Sequence, residues 1–501
     1  MSTTTCPIDL SLLPQPILSA HPKWIELHHF AWRIAARNVL FSRGRWHMDA
    51  AWDPTRNYQW VWDTCFMVLY CRYANGQFPG MQSLDNFYEM QRENGHIGMT
   101  YDMTTGEEPW PNRINPPLFA WVEWEHYRAT GDASRFAHAV PHIEKLMEWI
   151  DANRRNRPHR RTHVKLEEHE CLDGSDAYQL YYFEDCGSSG MDDSPRAPRY
   201  PDAGQFFDWI DLSSQMVLSF RMLANMHDVL GNAERSAYWA ARAEETGRLI
   251  NEELWCARTR FYHDRTLPKN FVASKTAAGF WPILAGICPP DRLDELVDHL
   301  RDEREFNRHT PVPTISADDP NYDEGGTYWL GGVWAPTNYM ITRGLMLAGR
   351  GDVAHEIAMR YLAALARTYA DFEPHTLWEC YCPEGDKPGL TPYTRDFVKG
   401  DFVGWTGSGP IAMLIENIIG LDVNAPERTV TWDIRLTEEH GVRQLEIGEG
   451  KADFLCRARK NPAAPARVDI RSDTPLTVRL RCDGRETELA VPAGATVKGE
   501  V

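Results

Sequence analysis

The stretch "SSGMDDSPR" (188–196) sets Asp192 and Asp193 side by side among small, turn-forming residues. Ser, Gly, Asp and Pro all favour turns, so one reading is a solvated loop or a helix cap. The other is a carboxyl group held rigidly at the lip of a pocket, ready to give up a proton. Five further stretches combine Trp, Gly and charged residues in ways that core packing does not require. They are "YQWVWDTCF" (58–66), "NRINPPL" (112–118), "YWLGGVWAP" (328–336), "LWECYCPEGDKPG" (377–389) and "DFVGWTGSGP" (401–410). Within them Glu379 sits between Trp378 and Tyr381, where aromatic neighbours can fix its direction. The chain carries 19 tryptophans, more than packing alone explains, and the apolar CH face of a pyranose lies well on an indole.

The elements that would position these residues are mostly helical. Helices are expected near 23–39, 62–75, 79–93, 116–130, 133–154, 208–230, 232–255, 275–285, 289–302, 335–348, 351–369 and 410–419. In the last, Pro410 suits the first turn, Ile411, Leu414, Ile415 and Ile418 form one stripe, and Gly420 ends it. Twelve helices in an inner and an outer ring would make an (α/α)6 toroid; no repeat supports a solenoid. The polar and aromatic stretches at 95–115, 156–207, 303–334 and 371–402 are too long for ordinary connectors, which assigns them to the site. Loops at 156–200 and 380–400 are lid candidates. After Gly420 the period becomes two, with Val430, Trp432, Ile434 and Leu436 alternating, and "DG" at 483–484 signals a hairpin. The expected division is a helical domain over 1–424 and a small β-domain over 425–501.

Composition narrows the class. A chain of 501 residues with 43% hydrophobic and 25% charged residues can bury a sizeable core. A net charge of −18 argues against nucleic acid or an anionic membrane as the main partner. The N-terminal stretch has no basic region followed by an apolar run, and the 11 scattered cysteines read as free thiols, so the expected location is cytoplasmic. Cys380 and Cys382, the "HEC" at 169–171 and the acidic "DDPNYDE" at 318–324 lack metal-ligand spacing, so no metal or cofactor is expected.

Taken in order, the motifs resemble those of the trehalase-like and family 63 glycoside hydrolases. These are inverting α-glycosidases on an (α/α)6 toroid, and they include bacterial hydrolases of mannosylglycerate and glucosylglycerate. The likeness covers most of residues 55–420. It implies that Asp192, the first Asp of the "SGMDDSPR" loop, is the general acid. It implies that Glu379, in "WECY", is the general base. Trp62 and Asp63 match a segment that grips the sugar at the cleaved bond, Arg113 matches the "NR" of an "NR…PP" segment, and Trp334 matches a "VWAP" segment. Trp329, Trp378 and Trp405 are further candidates for the sugar-facing wall. Arg196 is either a buried ion-pair partner or a ligand of a substrate hydroxyl. Asp193 is read as a bystander that hydrogen-bonds the loop, and Asp63 also as a helix cap. One departure stands out: relatives commonly carry Arg after "YW", where this chain has Leu330.

The residue chemistry agrees independently. Inverting hydrolysis needs one carboxylic acid to protonate the leaving oxygen and one carboxylate to activate water, about 6.5–9.5 Å apart. A Trp-lined, partly desolvated pocket would keep the acid protonated near neutral pH. The reading is therefore a hydrolase of a small α-linked glucoside or mannoside, a disaccharide or glycosylglycerate. A toroid phosphorylase, which would not need Glu379 as base, and an inactive sugar-binding protein are the alternatives. Lys387, Arg395 and Lys399 are either contacts for an anionic aglycone or solvated surface charges, the latter being preferred. Oligomeric state is open.

Overall fold

The computed structural model of the chain describes residues 6–51, 53, 57–155, 180–198, 204, 207–266 and 270–501. Most of the lid candidate at 156–200 and the "HEC" stretch lie outside the described residues. The described chain is mainly helical, with twelve helices and a C-terminal sheet region. The helices are α1 (Pro22–Arg37), α2 (Val61–Cys71), α3 (Gly80–Glu89), α4 (Phe119–Thr130), α5 (Phe136–Asn153) and α6 (Ile210–Val229). There follow α7 (Ala233–Glu253), α8 (Trp281–Leu284), α9 (Pro290–Arg301), α10 (Ala335–Leu347), α11 (Gly351–Asp371) and a π-helix (Gly409–Ile419).

Two classes of helix alternate along the chain. In α2 every residue from Val61 to Tyr70 is buried, in α6 every residue from Ile210 to Phe220, and in α10 every residue from Ala335 to Leu345. The π-helix is buried throughout. By contrast α7 buries one stripe (Trp239, Ala243, Thr246, Ile250) and α9 buries Leu296, Val297 and Leu300. A helix apolar all round belongs inside a shell of amphipathic ones. The inner helices touch in the order α2, α4, α6, α8, α10, π-helix, and the π-helix touches α2 again. The outer α3, α5, α7 and α11 each pack on the inner helix that precedes them in sequence, and α1 packs on α11 and the π-helix.

Two expected helices differ in kind. Residues 275–285 form a 3-10 turn (Ala277–Phe280) and then the single turn α8, because Pro282 is tolerated only in the first turn of an α-helix. The segment at 410–419 is π-helical rather than α-helical, and it ends as expected at Gly420. There φ is 94°, and an added Cβ would lie 2.1 Å from the Asp433 carbonyl oxygen, so only glycine fits.

Residues after Gly420 form two sheets. One orders Leu421–Asn424, Thr429–Asp433, Leu476–Cys482 and Arg485–Val491, with a parallel pair in the middle. Its hairpin turns through Asp483 and Gly484, both at positive φ as a two-residue turn demands. The other is antiparallel and takes Gln15–Leu18 from the N-terminus as an edge strand beside His440–Ile447.

The inner helices are tied together at one end by buried charges. Arg72, at the C-terminus of α2, pairs with Glu125 of α4 (2.9 Å) and with Glu416 of the π-helix. Arg343 of α10 pairs with Glu125 (2.9 Å) and Asp422 (2.8 Å). Burial alone would raise these carboxyls. The two arginines instead hold Glu125 below its ordinary value, and Arg343 with Arg128 brings Asp422 down to about 2. The opposite end of these helices is open.

Candidate active site

The first turn of α2 carries Trp62 and Asp63, Trp334 is the N-cap of α10, and Trp405 lies just before the π-helix. Together with the loops that enter these helices they enclose a cavity of about 490 Å³. Asp192, Glu379, Asp63, Trp62, Arg113, Trp329, Trp334 and Trp405 all line it. The partly positive N-terminal ends of α2 and α10 therefore face a space rich in carboxylates.

The 188–196 loop is fixed at several points. The Asn115 side chain donates to the Ser188 carbonyl (3.1 Å), and the Ser188 amide donates to Asp185 (2.9 Å). Gly190 has φ 78°, and an added Cβ would approach the Trp62 indole to 3.1 Å, so the loop can lie flat on that ring only as glycine. Asp193 accepts a hydrogen bond from the Trp329 amide (2.8 Å), which joins the loop to the opposite wall. Asp192 is left projecting into the lumen. Its side chain is exposed to the cavity, with protein packed closely around it. Burial pushes its carboxyl up to about 7, with Glu379, Asp193 and Asp185 adding repulsion. Asp192 is thus poised to hold a proton near neutrality.

Glu379 faces the same space from the loop that follows α11. Its Oε1 accepts from the Tyr328 hydroxyl at 3.0 Å. Its backbone carbonyl accepts from the Trp405 indole N–H (2.8 Å), and its amide donates to the Lys399 carbonyl (3.0 Å). Burial raises its pKa, while the Tyr328 hydroxyl and Lys399 favour the ionised form. Trp329 and Trp334 stack face to face, with centroids 4.0 Å apart and planes 9° from parallel. The Trp334 indole N–H donates to the Tyr328 carbonyl (2.9 Å). Two further carboxyls complete the cluster. Burial holds Asp63 well above its ordinary value, and it pushes Asp49 up to about 7 against the pull of Lys399. A neutral Asp63 can donate as well as accept a hydrogen bond.

Other expected residues fall elsewhere. Arg196 is buried away from the cavity, hydrogen-bonded through both terminal nitrogens to Asp211 (2.8 and 2.7 Å) and ion-paired with Asp264 (Nε to Oδ2 2.9 Å), with its guanidinium over Trp209. Its placement is that of the ion-pair alternative, and it does not line the cavity. Trp378 also stands outside the cavity wall, against Phe372 and Phe397. Asp63 is the third residue of α2 rather than its cap, which is Trp60. Arg395 pairs with Asp323 (2.5 Å) at the surface, whereas Lys399 lines the cavity and donates to the Ala51 carbonyl (3.0 Å). Among the described residues no group of three His, Cys, Asp or Glu side chains gathers as metal ligands.

Several lining residues escaped the sequence reading: Asp49, Tyr58, Trp60, Trp110, Asn115 and Tyr328. For two of them the signal was present. Tyr58 and Trp60 alternate around buried Gln59 in the strand Tyr58–Trp60, which puts both rings on one face. Trp110, between two prolines in a loop and 38% exposed, packs against both.

Comparison with known proteins gives the geometry a context. The family model described as "Mannosylglycerate hydrolase MGH1-like glycoside hydrolase domain" matches residues 56–398. An uncharacterised protein of Borreliella burgdorferi is 26% identical over 403 residues, 79% of each chain. A probable mannosyl-oligosaccharide glucosidase of Schizosaccharomyces pombe is 28% identical over 187 residues, which is 36% of this chain and 23% of that protein. A family 63 mannosylglycerate hydrolase of Thermus thermophilus, solved with glucose, superposes with a TM-score of 0.59 at 20% identity, over 77% of this chain and 99% of that one.

Proposed function

From the match over residues 56–398, the chain belongs to the mannosylglycerate hydrolase MGH1-like family of glycoside hydrolases, and we propose that it is an inverting α-glycosidase acting on a small glucoside or mannoside. What carries the reading is the pair of carboxyls on one Trp-lined cavity. Asp192 is held neutral up to about pH 7, and Glu379 is aimed by Tyr328 and relieved by Lys399. In the proposed step Asp192 donates its proton to the glycosidic oxygen as the C1–O bond breaks. Glu379 takes a proton from a water that attacks C1 from the opposite face, giving the β-anomer. Neutral Asp63 and the Trp329–Trp334 stack would grip the terminal sugar. No cofactor or metal enters this scheme.

The proposal extends to architecture. The closed order of inner-helix contacts supports an (α/α)6 toroid over 1–424, with residues 425–501 as a small β-domain whose two sheets also take the strands at Gln15–Leu18 and Leu421–Asn424. The ten described cysteines are free thiols, in keeping with a reducing cytoplasm. The Asp192→Asn and Glu379→Gln variants should each lose at least ~10²-fold in turnover with folding intact. NMR of early product should show the β-anomer. Near-normal turnover in either variant, initial α-product, or a strict requirement for phosphate would each defeat the reading.

A further inference from the structure

Burial falls steadily from the floor of the cavity to its mouth. Trp62, Trp329, Trp334 and Trp405 are 7% exposed or less, Tyr58 and Trp60 are half-buried, and Trp110 is 38% exposed. The last three form one block. Trp60 and Trp110 lie 5.2 Å apart with planes tilted by 31°, and Tyr58 meets both edge-on at 6.3 and 6.2 Å. The pairing of Tyr58–Trp60 with Thr100–Asp102 fixes the block in place. Single exposed aromatics are ordinary, but three in contact on the lip of a polar cavity are a surface built to be covered.

The charges beside the block restrict what covers it. Among the described residues the wall carries Asp49, Asp53, Asp63, Asp192 and Glu379 against two cations, Arg113 and Lys399. Arg113 is already paired with Asp185 at 2.5 Å, and Lys399 acts on Asp49 and Glu379. Asp49, Asp63 and Asp192 hold protons near neutrality, so a carboxylate in the leaving group would face ionised Glu379 with both cations already engaged, and its own charge would go unpaired. A neutral pyranose would meet aromatic faces with its CH groups and carboxyls with its hydroxyls.

Resting on the hydrolase reading above, we infer that Tyr58, Trp60 and Trp110 form the subsite for the leaving group, and that this group is an uncharged sugar ring rather than a glycerate. The substrate is then an α-linked disaccharide, or the non-reducing end of a short oligosaccharide.

The test compares three kinds of substrate sharing one terminal sugar: the α-glycosyl fluoride, which has no organic leaving group, a panel of α-linked disaccharides, and the glycosylglycerate. The parent enzyme should show kcat/KM at least ten-fold higher for its best disaccharide than for the glycosylglycerate. In Trp110→Ala the loss on that disaccharide should exceed the loss on the fluoride by ten-fold or more, mainly through KM, with Trp110→Phe recovering most of it. Preference for the glycosylglycerate, or equal losses on fluoride and disaccharide, would overturn the inference while leaving the hydrolase intact. Failure of the parent to cleave any of the three kinds of substrate would overturn the hydrolase reading, and this inference with it.

Discussion

Replacing Asp192 by Asn should stabilise the protein, and by an amount that grows with pH. In the folded chain the Asp192 carboxyl keeps its proton until about pH 7, against an ordinary value of 3.8. In the unfolded chain it ionises near 4, so between pH 4 and 7 folding takes up a proton. Stability from this group is complete below pH 4 and is lost as pH rises through 7. The full interval corresponds to a ceiling of about 4 kcal/mol. Because the side chain is open to cavity water, screening reduces this to about 1–2 kcal/mol. Asn has no proton to lose, so the variant escapes the whole term, and the repulsion on Glu379 and Asp63 relaxes in the same direction. Urea denaturation of both proteins at pH 4.5 and pH 8 measures it. The advantage of Asp192→Asn should be small at the lower pH, rise by about 1 kcal/mol or more by pH 8, and level off beyond. An advantage that does not change with pH would refute the claim that this carboxyl is held neutral by its surroundings.

The same protonation states shape the rate. Turnover should fall as pH rises through about 7, where Asp192 loses its proton, and should fall on the acid side as Glu379 gains one; a pH–kcat/KM profile checks both limbs. Tyr328→Phe removes the hydroxyl that favours ionised Glu379, so the acid limb should move to higher pH while the other limb stays near its place. Asp193→Ala should cost about ten-fold or more in kcat/KM with little change in melting temperature, since general acid catalysis depends on placement and this carboxylate ties the Asp192 loop to Trp329. Arg343→Ala leaves Glu125 and Asp422 without a main partner, and should cost about 3–5 kcal/mol in urea denaturation.

Much of the fold was legible because the outer helices announce themselves. The stripe Ile357, Tyr361, Leu365 in α11 and the start of α9 at a proline read directly as amphipathic elements. The inner helices were bounded about as closely, 208–230 against Ile210–Val229 and 335–348 against Ala335–Leu347. What stayed hidden was the kind of helix: the apolar residues of the π-helix satisfied a 3.6-residue period, yet the period said nothing about the backbone bonds. The short strands were missed for another reason. Val39–Ser42 with Arg45–Met48, and Tyr58–Trp60 with Thr100–Asp102, are two-stranded pieces of three or four residues, too brief for alternation to stand out. At the site the motifs named the residues that converge on one wall. They did not separate Glu379 from Trp378, because adjacent residues share a motif although only one of them lines the cavity. Asp49 carried no signal, since nothing in sequence brings the end of the hairpin at Arg45–Met48 to a cavity whose walls reach from Tyr58 to Trp405.

The two ends of the inner helices treat charge in opposite ways, and the contrast explains where the chemistry sits. At one end Glu125, Glu416 and Asp422 meet Arg72, Arg128 and Arg343 in near balance. The arginines hold Glu125 and Asp422 below their ordinary values, and the end is locked. At the other end Asp49, Asp63, Asp192 and Glu379 face two cations, one of them already paired. Four carboxyls that close to one another cannot all ionise, so some must keep protons into the neutral range. Matching this end with arginines, as at the first, would remove the repulsion and the acid together. The imbalance lowers stability locally, and it is also what leaves a carboxylic acid in the same cavity as a carboxylate.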